Sequence, residues 1–445
     1  MSGTTKQSDA PSNTDQDMFD LMSKLWPLHR TLNSDDLDLA LDICGEHLRD
    51  DRWLIHEYPV KSYAYTWWIP ERYSVNEAWL EINGDRVADF SVNPLHLLSY
   101  SLPVEFRGKL EEIRDHLWTS EKRPDAIPWE FKYYERSWGF CLAHNVLKKY
   151  GNDAEVKAFI DVDFTDVPLR VGEIYLPGES DKDVLFLTNI CHPMQVNDSL
   201  SGLVVGLEMA RQLSSMSRRK HGFRLLVVPE TIGTLAWISR NEDQFSRTAY
   251  AWFCEMVGHN NSFILQHSRQ GTASLIDRAF LTVLPQYRQH GTERTGLFRE
   301  VVASDEMITN GPGFDLPTPS LTRWPYPEYH TSDDNPSIVN PENLGECLDM
   351  YLALWSALEN NYYPQRRFKG PVMLSRYGLW VDWRENRELN LATEKMMLML
   401  EGQHSVIDIA FELELSFEVI FHYLEKYRSE GLIEASDSPW PQGSI

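Results

Sequence analysis

The stretch VLFLTNICHPMQVNDSLSG (184–202) decides the fold. It opens with an almost unbroken apolar run of strand length, which is what a strand buried on both faces requires. Polar residues and Pro193 follow, and then LSGLVVGLEMARQL carries apolar residues at helical spacing, predicting a helix over 199–213. FRLLVV (223–228) precedes a second predicted helix over 231–239, and AWFCEMV (251–257) reads as a third strand. Apolar strands alternating with helices predict an α/β sheet covered by helices.

Upstream, VKAFIDVDF and LRVGEIYL read as two strands, expected to pair antiparallel before the core begins. Between Trp53 and Leu117 the runs WLIHEYPV, YAYTWWIP, AWLEI and RVADFSV are rich in aromatic and β-branched residues, with Asn83-Gly84-Asp85 as a tight-turn signal. A small β-rich subdomain over 53–125 is expected, closed by a helix over KLEEIRDHL (109–117). Helices over 18–31 and over 35–49, the latter capped by Ser34, form an N-terminal part (18–52). Residues 1–17 are polar and expected to be disordered. The core spans 126–370. It includes a Pro- and Gly-rich loop over 311–343, of a length that is more often functional than idle. Helices over 391–401, 405–414 and 416–430 with a short strand at 432–434 suggest a winged-helix module within 371–445.

Composition narrows the function. The 445 residues carry 42 basic and 66 acidic side chains, a net charge of −24, which disfavours nucleic acid and anionic membranes. The C-terminal segment from Leu391 onward has three basic against ten acidic residues, the wrong sign for a winged helix on DNA. No apolar run is long enough to cross a bilayer, and the N-terminus lacks the apolar stretch of a secretory signal. Five cysteines without CxxC spacing read as reduced thiols. A cytoplasmic protein acting on a small molecule or short peptide is expected, with self-association left open.

Polar residues cluster at the predicted strand ends. His192 and Asp198 follow the first strand, Glu230 the second, Glu255 lies in the third, and His330 sits in the long loop. In an open α/β sheet these ends form the ligand crevice. Two imidazoles and three carboxylates suit a zinc hydrolase, with one carboxylate left over as base. Taken singly each has a plainer reading: Asp198 as a helix cap, Glu230 as a helix-dipole partner, His192 as a structural histidine. Glu255 inside an apolar run is harder to explain away, because a buried carboxylate is costly unless paired or metal-bound.

The segments CHPMQVNDSLSG (191–202), VVPETIG (227–233), CEMVG (254–258), SDE (304–306) and YHTSDDN (329–335) together resemble zinc aminopeptidases of the M28 type. They resemble more closely a bacterial aminopeptidase-like family catalogued as a domain of unknown function, in which an M28-like core carries an inserted β subdomain and a C-terminal winged helix. SYAYTWWIP and YYERSWGFCL (133–142) fit its N-terminal half. The resemblance implies a zinc site of His192, Asp198, Glu255 and His330, with Glu230 as general base. Thr231 stands where a second glutamate would bind a second zinc, which favours one tightly held ion. Tyr133, Tyr134, Trp138, Asp305, Arg323 and Tyr329 are candidates for the substrate wall, Arg323 as a fork for a substrate carboxylate. The implied activity is amide hydrolysis, by an aminopeptidase or a deacylase of a peptide-like small molecule. The alternative is the same scaffold with weakened chemistry, serving in binding or regulation. A transcription-associated role for the winged helix is disfavoured by its acidity.

Overall fold

In the computed structural model, which describes residues 12–287 and 294–441, the deciding stretch forms a strand, Asp183–Asn189, buried at every position. It runs parallel to Gly222–Val228 on one side and Thr248–Cys254 on the other. These three belong to an eight-stranded mixed sheet, in the order Trp53–Tyr58, Leu169–Leu176, Gly222–Val228, Asp183–Asn189, Thr248–Cys254, Ser320–Thr322, Ile264–Gln266, Arg294–Gly296. Three adjacent parallel strands therefore end along one sheet edge, and the segments after Asn189, Val228 and Cys254 emerge side by side. Helices Asn13–Leu25, Asp35–Leu48, Leu200–Ser214 and Pro341–Glu359 pack on one another and on the sheet. The helix after the first strand approaches so closely that a Cβ on Gly202 would lie 2.1 Å from the Cys254 carbonyl oxygen, so only glycine fits.

A second sheet of four strands, in the order Asp85–Asp89, Arg72–Ile82, Glu155–Thr165, Val104–Lys109, forms the smaller unit. Its Asn83-Gly84 hairpin has positive φ at both residues (51° and 88°), as a type I′ turn requires.

Several expected boundaries move. The strand at Trp53–Tyr58 belongs to the large sheet, where it pairs with Leu169–Leu176. Glu155–Thr165 belongs to the small one, so the small sheet is drawn from residues 72–165 rather than 53–125. The two runs expected to pair with each other thus lie in different sheets. The physical difference lies in their burial: Glu155–Thr165 largely alternates buried and exposed positions, while Leu169–Leu176 is buried along most of its length. Trp53–Tyr58 is half exposed because it forms the sheet's edge, which makes it resemble a strand of a one-sided sheet. The segment expected to close the subdomain is a 3-10 helix, Leu110–His116. The first helix starts at Asn13, capped by Ser12, and ends at Leu25. The expected tail is therefore helical from Asn13, and its residues 1–11 lie outside the described residues. The long loop contains a strand, Ser320–Thr322, and ends at the helix beginning at Pro341.

Beyond the core, helices Arg387–Leu398, Val406–Glu412 and Phe417–Ser429 precede a strand Ile433–Ser436, which pairs with Tyr363–Arg366. The ribbon thus draws one strand from before residue 371. Among the described residues no helix is long and apolar enough to cross a membrane.

Candidate metal centre

The three strand ends and one loop deliver the site. His192 and Asp198 sit on the segment after Asn189, Glu230 lies two residues beyond Val228, and Glu255 directly follows Cys254. His330 enters from the long loop. All five line one cavity of about 390 Å³. His192 Nε2 lies 3.8 Å from Asp198 Oδ2 and 3.5 Å from Glu230 Oε2, and His330 Nε2 lies 3.1 Å from the same Asp198 oxygen. Ligand atoms of His192, Asp198 and His330 all fall within 4.8 Å of one another, close enough to share one ion.

Buried hydrogen bonds fix this geometry. Asp334 accepts the backbone N–H groups of Val196 (3.1 Å), Asn197 (2.7 Å) and Asp198 (3.2 Å), and the Tyr326 hydroxyl (2.7 Å). Arg30, wholly buried, donates to the carbonyls of Ile190, His192 and Gln195. The segment carrying His192 and Asp198 is thereby held from both sides, across an Asp198–Ser199 peptide that is cis. Asn197 accepts the Gly258 N–H on its side chain (2.9 Å) and the Met256 N–H on its carbonyl (3.1 Å), tying the Glu255 segment to the Asp198 segment.

Trp129 holds the two imidazoles. Its ring centroid lies 4.7 Å from that of His192 and 4.6 Å from that of His330, edge-on to both. Its backbone N–H donates to the His330 carbonyl (2.8 Å), and Ile127 exchanges hydrogen bonds with Ser332 (3.0 and 2.8 Å). Tyr329 stacks on the His330 ring at 3.8 Å.

The electrostatics call for a cation. Burial pushes Glu230 up to about 8, with Asp305 and Asp198 adding repulsion. Glu255 is pushed well above the usual range, first by burial and then by the surrounding carboxylates. No hydrogen-bond donor meets the Glu255 carboxylate among the described residues. Burial also lowers His192 to about 4, which keeps the imidazole neutral, as a ligand must be. For Asp198 burial is outweighed by the two imidazoles and Arg30, which hold the carboxyl below its usual range. Two imidazoles beside an ionised carboxylate and an unpartnered buried one form a donor set that fits zinc.

Glu230 is set apart by its contacts. Ser304 Oγ donates to its Oε1 (3.1 Å), leaving Oε2 toward His192. Thr231 has φ 63° and ψ −65°, and Ile232 N–H reaches the Glu230 carbonyl at 2.6 Å, which is a classic γ-turn, a rare and strained conformation. Its own N–H donates to Asp305 Oδ1 (2.8 Å), and the residue lines a neighbouring cleft rather than the metal cavity.

Of the six candidates for the substrate wall, only Tyr329 lines the cavity. Asp305 is buried one step back, accepting from Thr231 N–H and Thr234 Oγ1 (2.7 Å). Arg323 is corrected outright. Its guanidinium is 1% exposed and donates to the Val257 and Asn261 carbonyls and to Glu346, while lying 3.9 Å over the Phe263 ring. Enclosed in this way, and outside the cavity lining, the guanidinium is not placed to meet a substrate. Tyr133 packs between Phe131 and Tyr100, Tyr134 donates to the Trp68 carbonyl (3.2 Å), and Trp138 stacks on His116 at 4.0 Å. Phe131, Trp324, Met256 and residues 299–304 line the cavity in their place. The sequence reading missed them together with Trp129 and Arg30. A buried arginine and a tryptophan carry no periodic signal, whereas Asp334 lies in the YHTSDDN segment and is legible as a residue that could orient a ligand histidine.

Comparison with known proteins agrees with this architecture. A Clostridium acetobutylicum protein named "putative polysaccharide biosynthesis protein with aminopeptidase-like domain" is 30% identical over 428 residues, covering 95% of each chain. The crystal structure of a "putative peptidase" from Clostridium acetobutylicum superposes with a TM-score of 0.84 at 28% identity, over 95% of this chain and 97% of the other. A zinc aminopeptidase from Bacillus subtilis shares the fold, with a TM-score of 0.58 at 14% identity over 78% of this chain and 95% of that one. The protein therefore has an M28-like α/β fold with an aminopeptidase-like domain. Residues 19–361 match the profile of one family, and the chain belongs to it: the family described as Domain of unknown function (DUF4910).

Proposed function

We propose that the protein is a zinc-dependent amide hydrolase, an aminopeptidase or a deacylase of a peptide-like small molecule. The observation that carries this reading is the convergence of His192, Asp198 and His330 on one point beside the buried, unpartnered Glu255. His192, Asp198, Glu255 and His330 would hold the ion. When bound, zinc supplies Lewis acidity for both the attacking water and the scissile carbonyl. Glu230 takes the proton of that water on Oε2 and returns it to the departing nitrogen. Ser304 fixes the other oxygen of Glu230, so the base has one orientation. Trp129 and Tyr329 keep the imidazoles in place, and Phe131, Trp324 and Met256 give the substrate an apolar wall.

The name of the Clostridium relative adds amides carried on sugars to the substrates worth assaying. Small amides are the expected partners, rather than nucleic acid or membrane. The experiment is hydrolysis of a panel of aminoacyl, N-acyl and N-acetyl-sugar amides by zinc-loaded and chelator-stripped protein, alongside Glu230→Gln. Turnover that requires both zinc and Glu230 supports the reading. A zinc-loaded protein inert on every member favours the binding role instead.

A further inference from the structure

We infer that the substrate carries an anionic group, a carboxylate or phosphate, which Arg299 binds at the mouth of the metal cavity. The inference deepens the hydrolase reading and rests on it. Arg299 is exposed and lines the same cavity as Asp198, Glu230 and Glu255. Its guanidinium has no carboxylate within salt-bridge distance among the described residues, and its one polar contact is Met307 Sδ at 3.2 Å. The acid beside it is already engaged, since Glu300 Oε2 accepts the Leu297 N–H at 3.1 Å.

The turn that presents Arg299 is braced. Gln266 is fully buried, and its Oε1 accepts the N–H groups of both Val301 and Val302 at 2.9 Å, while its Nε2 donates to Glu306 at 3.0 Å. Arg299 itself sits at φ 66°, a left-handed conformation that an L residue adopts at a cost. In a chain of net charge −24 this guanidinium forms no ion pair among the described residues, although its charge is felt by the buried Glu306. Its five donors in a rigid fork match a carboxylate or phosphate. The substrate class follows: an amide with an anionic group a few bonds from the scissile carbonyl.

The test uses the zinc-loaded full chain and hydroxamates read by calorimetry. Acetohydroxamate probes the metal alone; the monohydroxamates of succinic, glutaric and adipic acid add a carboxylate at increasing reach. One of the three should bind about tenfold to a hundredfold tighter than acetohydroxamate, the range of a charge-assisted pair. Arg299→Gln should abolish that advantage and leave acetohydroxamate binding unchanged, while Arg299→Lys keeps part of it. The inference is overturned if no diacid derivative exceeds acetohydroxamate, or if the advantage survives Arg299→Gln. If acetohydroxamate itself fails to bind, the hydrolase reading falls first and this inference with it.

Discussion

Replacing Trp129 by leucine separates metal positioning from ordinary core packing. Trp129 is 3% exposed and meets the imidazoles of both His192 and His330 edge-on. Each such aromatic contact is worth about 0.5–1.5 kcal/mol, so the pair contributes about 1–3 kcal/mol to holding the rings where one ion can reach both. Transmitted to binding, that weakens zinc roughly 5- to 150-fold. The same substitution also lowers global stability by about 2–4 kcal/mol through the lost volume. A control is therefore needed. Trp355 is equally buried but packs on Phe223, near the opposite end of the strands. Trp355→Leu should lower stability comparably and leave zinc affinity unchanged, and Trp129→Phe should restore most of the affinity. The assay is chelator competition for zinc, with denaturant unfolding measured in parallel. A Trp129→Leu protein that is folded and binds zinc within twofold of the parent would refute the positioning argument.

Glu230→Gln should retain zinc while turnover falls by roughly two to four orders of magnitude, measured on whichever amide the panel identifies; loss of zinc would instead make Glu230 a ligand. Thr231→Glu should leave the metal content after dialysis at one ion per chain, read by elemental analysis, because residue 231 lines the neighbouring cleft and not the cavity of His192 and Asp198. Asp334→Ala leaves the N–H groups of Asn197 and Asp198 and the Tyr326 hydroxyl without their acceptor, while Val196 N–H keeps only the residue 334 carbonyl (3.3 Å). It should cost about 3–5 kcal/mol by denaturant titration and reduce metal retention. Burial lowers His221 to about 4, below the value of an exposed imidazole. Its contribution is thus present above about pH 6.5 and lost as pH falls toward 4, by up to about 2 kcal/mol between pH 7 and 5. His221→Gln should show a correspondingly smaller loss of stability over that interval.

What could be read in advance follows from the range of each interaction. Asp183–Asn189, Gly222–Val228 and the polar residues just beyond them were legible because burial on both faces writes a continuous apolar run. His192, Asp198, Glu230 and Glu255 then follow from where such strands end. The membership of Trp53–Tyr58 was not legible, since an edge strand of a large sheet and a strand of a small one expose similar positions. Ser320–Thr322 is only three residues long and sits among prolines, too short for any period to register. Arg323 was misjudged for a different reason: a loop arginine looks free until the carbonyls of Val257 and Asn261 and the Glu346 carboxylate close around it. Arg30 and Trp129 act on loops more than 160 and 60 residues away in the chain respectively, and only the fold brings them there.

The most direct test of the metal centre is anomalous diffraction at the zinc edge from crystals of the zinc-loaded protein. The structure predicts one strong peak about 2.0–2.2 Å from donor atoms of His192, Asp198 and His330, with Glu255 at the same ion. A map with no peak there, or with zinc bound only elsewhere, would contradict the account.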